Sequence, residues 1–301
     1  MDFVNVADLG HEGLAEVLDL AKQVKTSRAD FAGTRSGLRV GLFFEKPSLR
    51  TRVSCEVATT DLGMVPFVLK QDEVGLGKRE AVGDVGQVLD RYLDVLAFRV
   101  FDHQNLVGLA DYADAPVINL LCDIEHPCQA LADLQTVAEH RPLQGATIAF
   151  IGDGNNVCNS LMIAAAMMGA STRIASPPGN EPTAEMLELA RSKATNGAEI
   201  FVTNDPAEAV VGADAVYTDV WASMGQESEA AERRQRFQPF QVNLELFEKA
   251  NDDAIFMHCL PAHRGDEVTD EVADHARSRI FDQAENRMHA FKALLLYLTA
   301  S

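Results

Sequence analysis

The sequence predicts an α/β protein of two doubly wound parallel-sheet domains joined by a long helix. Three observations carry the prediction. Short apolar runs alternate with segments of helical periodicity along nearly the whole chain, as expected where helices cover both faces of a parallel sheet. That alternation pauses once, at a helical pattern over residues 127–140 that ends near Pro142. The length, 301 residues, suits two domains of ordinary size.

The first helix is predicted at 13–25, where Leu14, Val17, Leu18, Leu20, Ala21 and Val24 recur at helical spacing. Strands follow at 38–44, 65–69, 95–100 and 116–121, separated by helices at 50–62, 81–92 and 105–112. After the joining helix, strands are predicted at 147–151, 172–175, 199–202, 215–218 and 255–260. Helices at 157–168, 183–194, near 207–211 and near 244–250 separate them. Residues 225–241 are polar and charged and are expected to form a mobile loop. The last helix, 285–298, carries Ala290, Leu294, Leu295 and Leu298 on one face and is expected to pack back on the N-terminal domain. The expected domains are 1–140 together with 285–301, and 141–284. Ligand groups are expected at the carboxyl ends of strands, facing a cleft between the halves.

Composition narrows the partners. A net charge of −19 argues against nucleic acid or an anionic membrane, both of which need a basic face. The longest apolar segment, 161–170, is about half of a bilayer span. Cys55, Cys122, Cys128, Cys158 and Cys259 are odd in number and irregularly spaced, so they read as reduced thiols of a cytoplasmic protein. The opening residues lack the basic and apolar regions of a signal peptide.

Five segments at strand ends carry the chemistry. In the first, an apolar strand runs through Glu45-Lys46-Pro47 into Ser48-Leu49-Arg50-Thr51-Arg52 at a helix start. Free N–H donors, two hydroxyls and an arginine fork there make a phosphate cradle, although a Ser-capped helix with surface arginines is the commoner meaning of such a segment. His126 precedes the joining helix in His126-Pro127-Cys128-Gln129, placed to donate to a carbonyl oxygen. Gly152-Asp153-Gly154-Asn155-Asn156 partly matches a dinucleotide fingerprint, but Val157 replaces the third glycine and no acid ends the next strand. That disfavours a nicotinamide-dependent oxidoreductase. Asp219, beside Trp221, is suited to an ammonium group. His258 and Cys259 are expected on opposite faces of a strand, which argues against zinc.

Together these segments resemble the carbamoyltransferases, and within them the ornithine type. The matching stretches are 44–52, Glu125-His126-Pro127-Cys128-Gln129-Ala130-Leu131-Ala132-Asp133, 152–156, Asp219-Val220-Trp221-Ala222-Ser223-Met224-Gly225, His258-Cys259-Leu260-Pro261 and Glu285-Asn286-Arg287, in family order. The resemblance implies that Ser48, Leu49 through its backbone, Arg50, Thr51 and Arg99 hold the phosphate of carbamoyl phosphate. It implies that His126, Gln129 and Arg287 bind and polarise the carbamoyl group, with Cys259 and Leu260 lining the place of attack. Asn156, Asp219, Ser223 and Met224 match positions that hold ornithine. Arg99, His126, Cys259 and Arg287 are the implied catalytic set.

The implied partners are carbamoyl phosphate and L-ornithine, with citrulline as product, no metal or organic cofactor, and a homotrimer or a multiple of trimers. The alternatives are another amine (acetylated or succinylated ornithine, putrescine, aspartate) and a catalytically silent relative. The resemblance thins at 75–86, where Gly75 stands for the family's usual Gln or His and Asp84-Val85-Gly86 for Asp-Thr-Ala. In the family that loop reaches a neighbouring subunit's site, so Lys78 or Arg79 is expected to stand in for it.

Overall fold

The computed structural model describes residues 1–222 and 229–300. It divides into two units, Met1–Gln135 with Glu285–Ser301, and Thr136–Ala284. The chain passes from the first to the second within the helix Pro127–Ala138 and returns within the helix Ile280–Leu298.

The first unit is built on four parallel strands, β1 (Arg39–Phe44), β2 (Val65–Lys70), β3 (Val95–Arg99) and β4 (Val117–Leu121), in the order β2-β1-β3-β4. The apolar runs 40–44 and 95–99 are buried along their whole length because helices lie on both faces of these central strands. Phe43 stacks on Phe98 with ring centroids 4.9 Å apart, in a core with Leu96, Leu106 and Val117. Sheet order reverses between β1 and β3, the place where open parallel sheets leave a crevice at their carboxyl ends.

The second unit repeats the logic with five parallel strands. They are β5 (Thr147–Ile151), β6 (Ser171–Ala175), β7 (Ile200–Thr203), β8 (Ala215–Thr218) and β9 (Ile255–His258), ordered β7-β6-β5-β8-β9. Its core gathers Ile151, Val216, Phe247 and Phe256. The reversal here lies between β5 and β8.

The predicted fold class is the observed one, two parallel-sheet α/β units, and the departures are local. The last helix begins at Ile280, five residues before the predicted 285. Residues 225–241 were expected to form a loop, but Ala230–Phe237 is a helix. Its sequence is almost wholly polar, so no apolar run marks it, and two buried side chains anchor it: Arg233 to the Trp221 carbonyl and the Asp153 carboxylate, and Phe237 against Trp221. Trp221 is thus a core anchor, its ring 6.1 Å from that of Phe237.

Candidate active site

In the first unit the functional side chains follow the ends of three adjacent strands. After β1, the chain turns through Glu45, whose N–H donates to the Arg99 carbonyl at 2.9 Å and whose carboxylate accepts from the Phe101 N–H at 2.8 Å. Lys46 lies over the Phe101 ring, its Nζ 3.3 Å from the centroid. The helix Leu49–Asp61 then begins, with Ser48 at its N-cap position. The Ser48 side chain makes no capping hydrogen bond, so the commoner meaning of this segment, a Ser-capped surface helix, does not describe it. Its hydroxyl and the first-turn N–H of Leu49 stay available as donors.

Thr51 is the centre of this constellation. Its buried Oγ1 accepts from Arg99 Nη1 at 3.4 Å and from Arg287 Nη2 at 3.0 Å. Arg99 ends β3, and Arg287 comes from the helix Ile280–Leu298, 236 residues from Thr51. Both arginines are only 6% exposed. Arg287 also donates from Nη1 to Gln129 Oε1 at 2.5 Å, while Gln129 Nε2 donates to Asp133 Oδ1 at 2.7 Å. Asp133 therefore fixes which way the Gln129 amide points. Arg287 is held here by a hydroxyl and an amide, both neutral, so its charge keeps its reach in a dry environment.

His126 follows β4 and opens onto the same place. Burial, and then the charges of Arg287 and Arg99, hold its pKa well below the ordinary 6.5. The imidazole is thus neutral near pH 7, a hydrogen-bond donor that adds no charge of its own. Nearby, burial pushes the Cys128 thiol up to about 12 despite the opposing pull of Arg287. Arg50 is half-buried in the first helical turn, and Arg52 turns outward to Glu56 at 2.8 Å. Arg79 is engaged within its own loop, donating to the Glu73 carbonyl and to Glu80, whereas Lys78 is exposed.

The second unit uses the same device at the ends of β5, β8 and β9. Asn155 caps the helix Asn156–Met167, its Oδ1 accepting from the N–H groups of Val157 and Cys158 at 3.0 and 3.1 Å. Its Nδ2 reaches across to Asp219 Oδ2 at 3.0 Å, just past β8. The other oxygen of Asp219 accepts from the Cys259 thiol at 3.0 Å, just past β9. Asn156, half-buried at the helix start, lies beside the same turn. Gly154 is required there, because a Cβ would stand 2.2 Å from the Pro182 nitrogen. Asp219 thus presents a buried carboxylate with lone pairs to spare, oriented by an amide and a thiol. Ser223 and Met224 lie outside the described residues.

One expectation is corrected. Ligand atoms of His258, Cys259 and Asp219 lie within 4.8 Å of one another, so His258 and Cys259 do not face opposite ways. Alternation fails because β9 ends at His258, and the chain turns at Leu260, whose φ is +59°. The His258 ring is already committed: Nδ1 accepts from the Leu260 N–H at 2.9 Å and Nε2 pairs with Glu267 at 3.1 Å. Glu267, Asp133, Asn155 and Arg233 were not singled out for these roles in the sequence. Their partners stand 9, 4, 64 and 80 residues away, and only the 4-residue spacing of Gln129 and Asp133 on one helix was a readable signal.

The two constellations match the two halves of one family. Residues 1–139 match the model "Aspartate/ornithine carbamoyltransferase, carbamoyl-P binding domain", and residues 144–298 match its "Asp/Orn binding domain". The chain belongs to the aspartate/ornithine carbamoyltransferase family. Among its relatives, the ornithine carbamoyltransferase of Parasynechococcus marenigrum is 52% identical, over 99% of this chain and 93% of that protein. That of Carboxydothermus hydrogenoformans is 48% identical, over 99% of this chain and 97% of its own length. The solved ornithine carbamoyltransferase of Pyrococcus furiosus superposes with a TM-score of 0.95 at 45% identity, covering 98% of this chain and 96% of that one. No helix among the described residues is long and apolar enough to cross a membrane.

Proposed function

We propose that this chain transfers the carbamoyl group of carbamoyl phosphate to the δ-amine of L-ornithine, giving L-citrulline and phosphate. The observation that carries the reading is the convergence of Arg99 and Arg287 on Thr51 Oγ1 at the head of the helix Leu49–Asp61, beside a neutral His126. Family membership and the names of the full-length relatives supply the substrates.

Ser48, the Leu49 N–H, Arg50, Thr51 and Arg99 bind the phosphate at the positive end of the helix. His126, Gln129 and Arg287 bind the carbamoyl group. Asp219, with Asn156, Ser223 and Met224, holds the amino-acid end of ornithine, and Cys259 and Leu260 line the amine's approach. The unprotonated δ-nitrogen attacks the carbamoyl carbon, and electron density moves onto the carbonyl oxygen. His126 and Arg287 donate to that oxyanion, the step where fixed donors matter most. Collapse breaks the C–O bond to phosphate, whose departing charge Arg50 and Arg99 stabilise. The proton shed by the attacking nitrogen passes to the phosphate. Carbamoyl phosphate carries its own leaving group, so positioning and a fixed field suffice.

This reading places the chain in the cytoplasm, in arginine biosynthesis, as a homotrimer or a multiple of trimers. A panel of amines tests the specificity. Purified protein with carbamoyl phosphate should turn over ornithine at least about a hundredfold faster than acetylornithine, succinylornithine, putrescine or aspartate, a ratio within reach of buried polar recognition. Preference for any other amine would overturn the substrate assignment.

A further inference from the structure

Beyond β9 the chain makes a tight excursion that the reaction scheme uses but does not explain. Leu260 has φ +59°, a conformation that leucine adopts only when its surroundings impose it. The imposing groups are identifiable. The Leu260 N–H donates to His258 Nδ1 at 2.9 Å, which places the ring's proton on Nε2. Nε2 faces Glu267 Oε1 at 3.1 Å, and the same oxygen accepts the His263 N–H at 2.5 Å. One carboxylate oxygen therefore ties both ends of the turn 260–263. The His258 backbone is held as well, its N–H donating to Gln283 Oε1 at 2.8 Å. His258, Glu267 and Gln283 are all fully buried.

The arrangement is a poor device for stability. Glu267 Oε2 is buried without a hydrogen-bond partner, and His263 Nδ1 stands 3.9 Å from it. Burying a carboxylate that is incompletely satisfied costs more than an apolar side chain in the same space. What the carboxylate supplies instead is direction. It orients an imidazole, and the imidazole orients the backbone that follows Cys259, whose thiol reaches Asp219.

We propose that Glu267, acting through His258, is a positioning residue that sets the Cys259–Leu260 turn for the incoming amine. The inference rests on the reaction proposed above. It assigns Glu267 no contact with either substrate.

Glu267→Asp keeps the charge but withdraws it by one methylene, about 1.5 Å, too far to serve both His258 and His263. It should lower kcat/KM for ornithine about tenfold or more through loss of orientation. Binding of inorganic phosphate, a probe of the Ser48–Thr51 cradle, should stay within about twofold, since sites without shared partners behave independently. Glu267→Gln keeps an acceptor oxygen in place and should recover ornithine kinetics to within about threefold of the parent. A turn that loosens also frees the Cys259 thiol, so its alkylation, followed by peptide mass spectrometry, should be at least about threefold faster in Glu267→Asp. An Asp variant with parental ornithine kinetics overturns the proposal. So does a parallel loss of phosphate binding, a Gln variant as impaired as Asp, or an unchanged alkylation rate. An unsubstituted protein inactive with ornithine refutes the reaction instead, and the alkylation rate still decides the role of Glu267.

Discussion

Replacing Arg287 by methionine removes a buried guanidinium while keeping a side chain of comparable length. Arg287 donates to Gln129 Oε1 and Thr51 Oγ1. Hydrogen bonds from a charged group contribute about 1.5–3 kcal/mol each. Against that stands the cost of desolvating the cation, which the methionine variant no longer bears. The fold should therefore lose about 1–3 kcal/mol, the cost of leaving the buried Gln129 Oε1 without its donor. Catalysis should respond differently, because removing a donor aimed at a developing oxyanion costs about 100- to 1000-fold in rate. Initial rates with carbamoyl phosphate varied at saturating ornithine, alongside thermal unfolding, separate the two effects. The His126 imidazole gives an internal check. Burial is the larger cause of its depressed pKa and remains, whereas the Arg287 charge disappears, so the pKa should rise only part of the way toward 6.5. A folded Arg287→Met variant within about tenfold of parental activity would show that Arg287 does not stabilise the oxyanion, given the size expected of such a donor.

Other expectations follow from the same geometry. Asp219→Asn should abolish ornithine turnover while leaving inorganic phosphate binding intact, as calorimetry would show; equal loss of both would contradict the division of labour. His126 has a folded-state pKa below its unfolded value, so the stability tied to the neutral ring is fully present above pH 6.5 and is lost as pH falls from there toward the folded pKa. Denaturant titrations should show a steeper loss below pH 6.5 for the parent than for His126→Gln, and identical slopes would contradict it. Gly154→Ala should destabilise by several kcal/mol, on the order of 3 or more, because its Cβ meets the backbone of Pro182 rather than a movable side chain. A chemical denaturation midpoint unchanged from the parent would show that the turn yields.

Much of this molecule was legible from its sequence, for physical reasons. Strands buried on both faces leave continuous apolar runs, and β1, β3, β5 and β8 were found that way. Parallel sheets gather their polar groups at carboxyl ends, so Thr51, Arg99, His126, Asp219 and Cys259 stood where a ligand site is expected. What escaped was pairing at long range. Nothing local tells that Arg287 bonds Thr51, or that Arg233 anchors a helix whose surface is almost wholly polar. The alternation rule misplaced Cys259 because it holds only within a strand, and β9 stops one residue earlier. Glu267 escaped for a related reason: it meets the His258 ring across a turn, 260–263, whose left-handed Leu260 no local pattern announces.

Carbamoyl phosphate labelled with carbon-13 and ornithine labelled with nitrogen-15 at Nδ, incubated with the protein, should yield a product whose carbamoyl carbon shows one-bond coupling to the labelled nitrogen, with one phosphate released per coupled product. Phosphate release without that coupling, or coupling only when another amine is supplied, would mean that this chain does not carbamoylate ornithine.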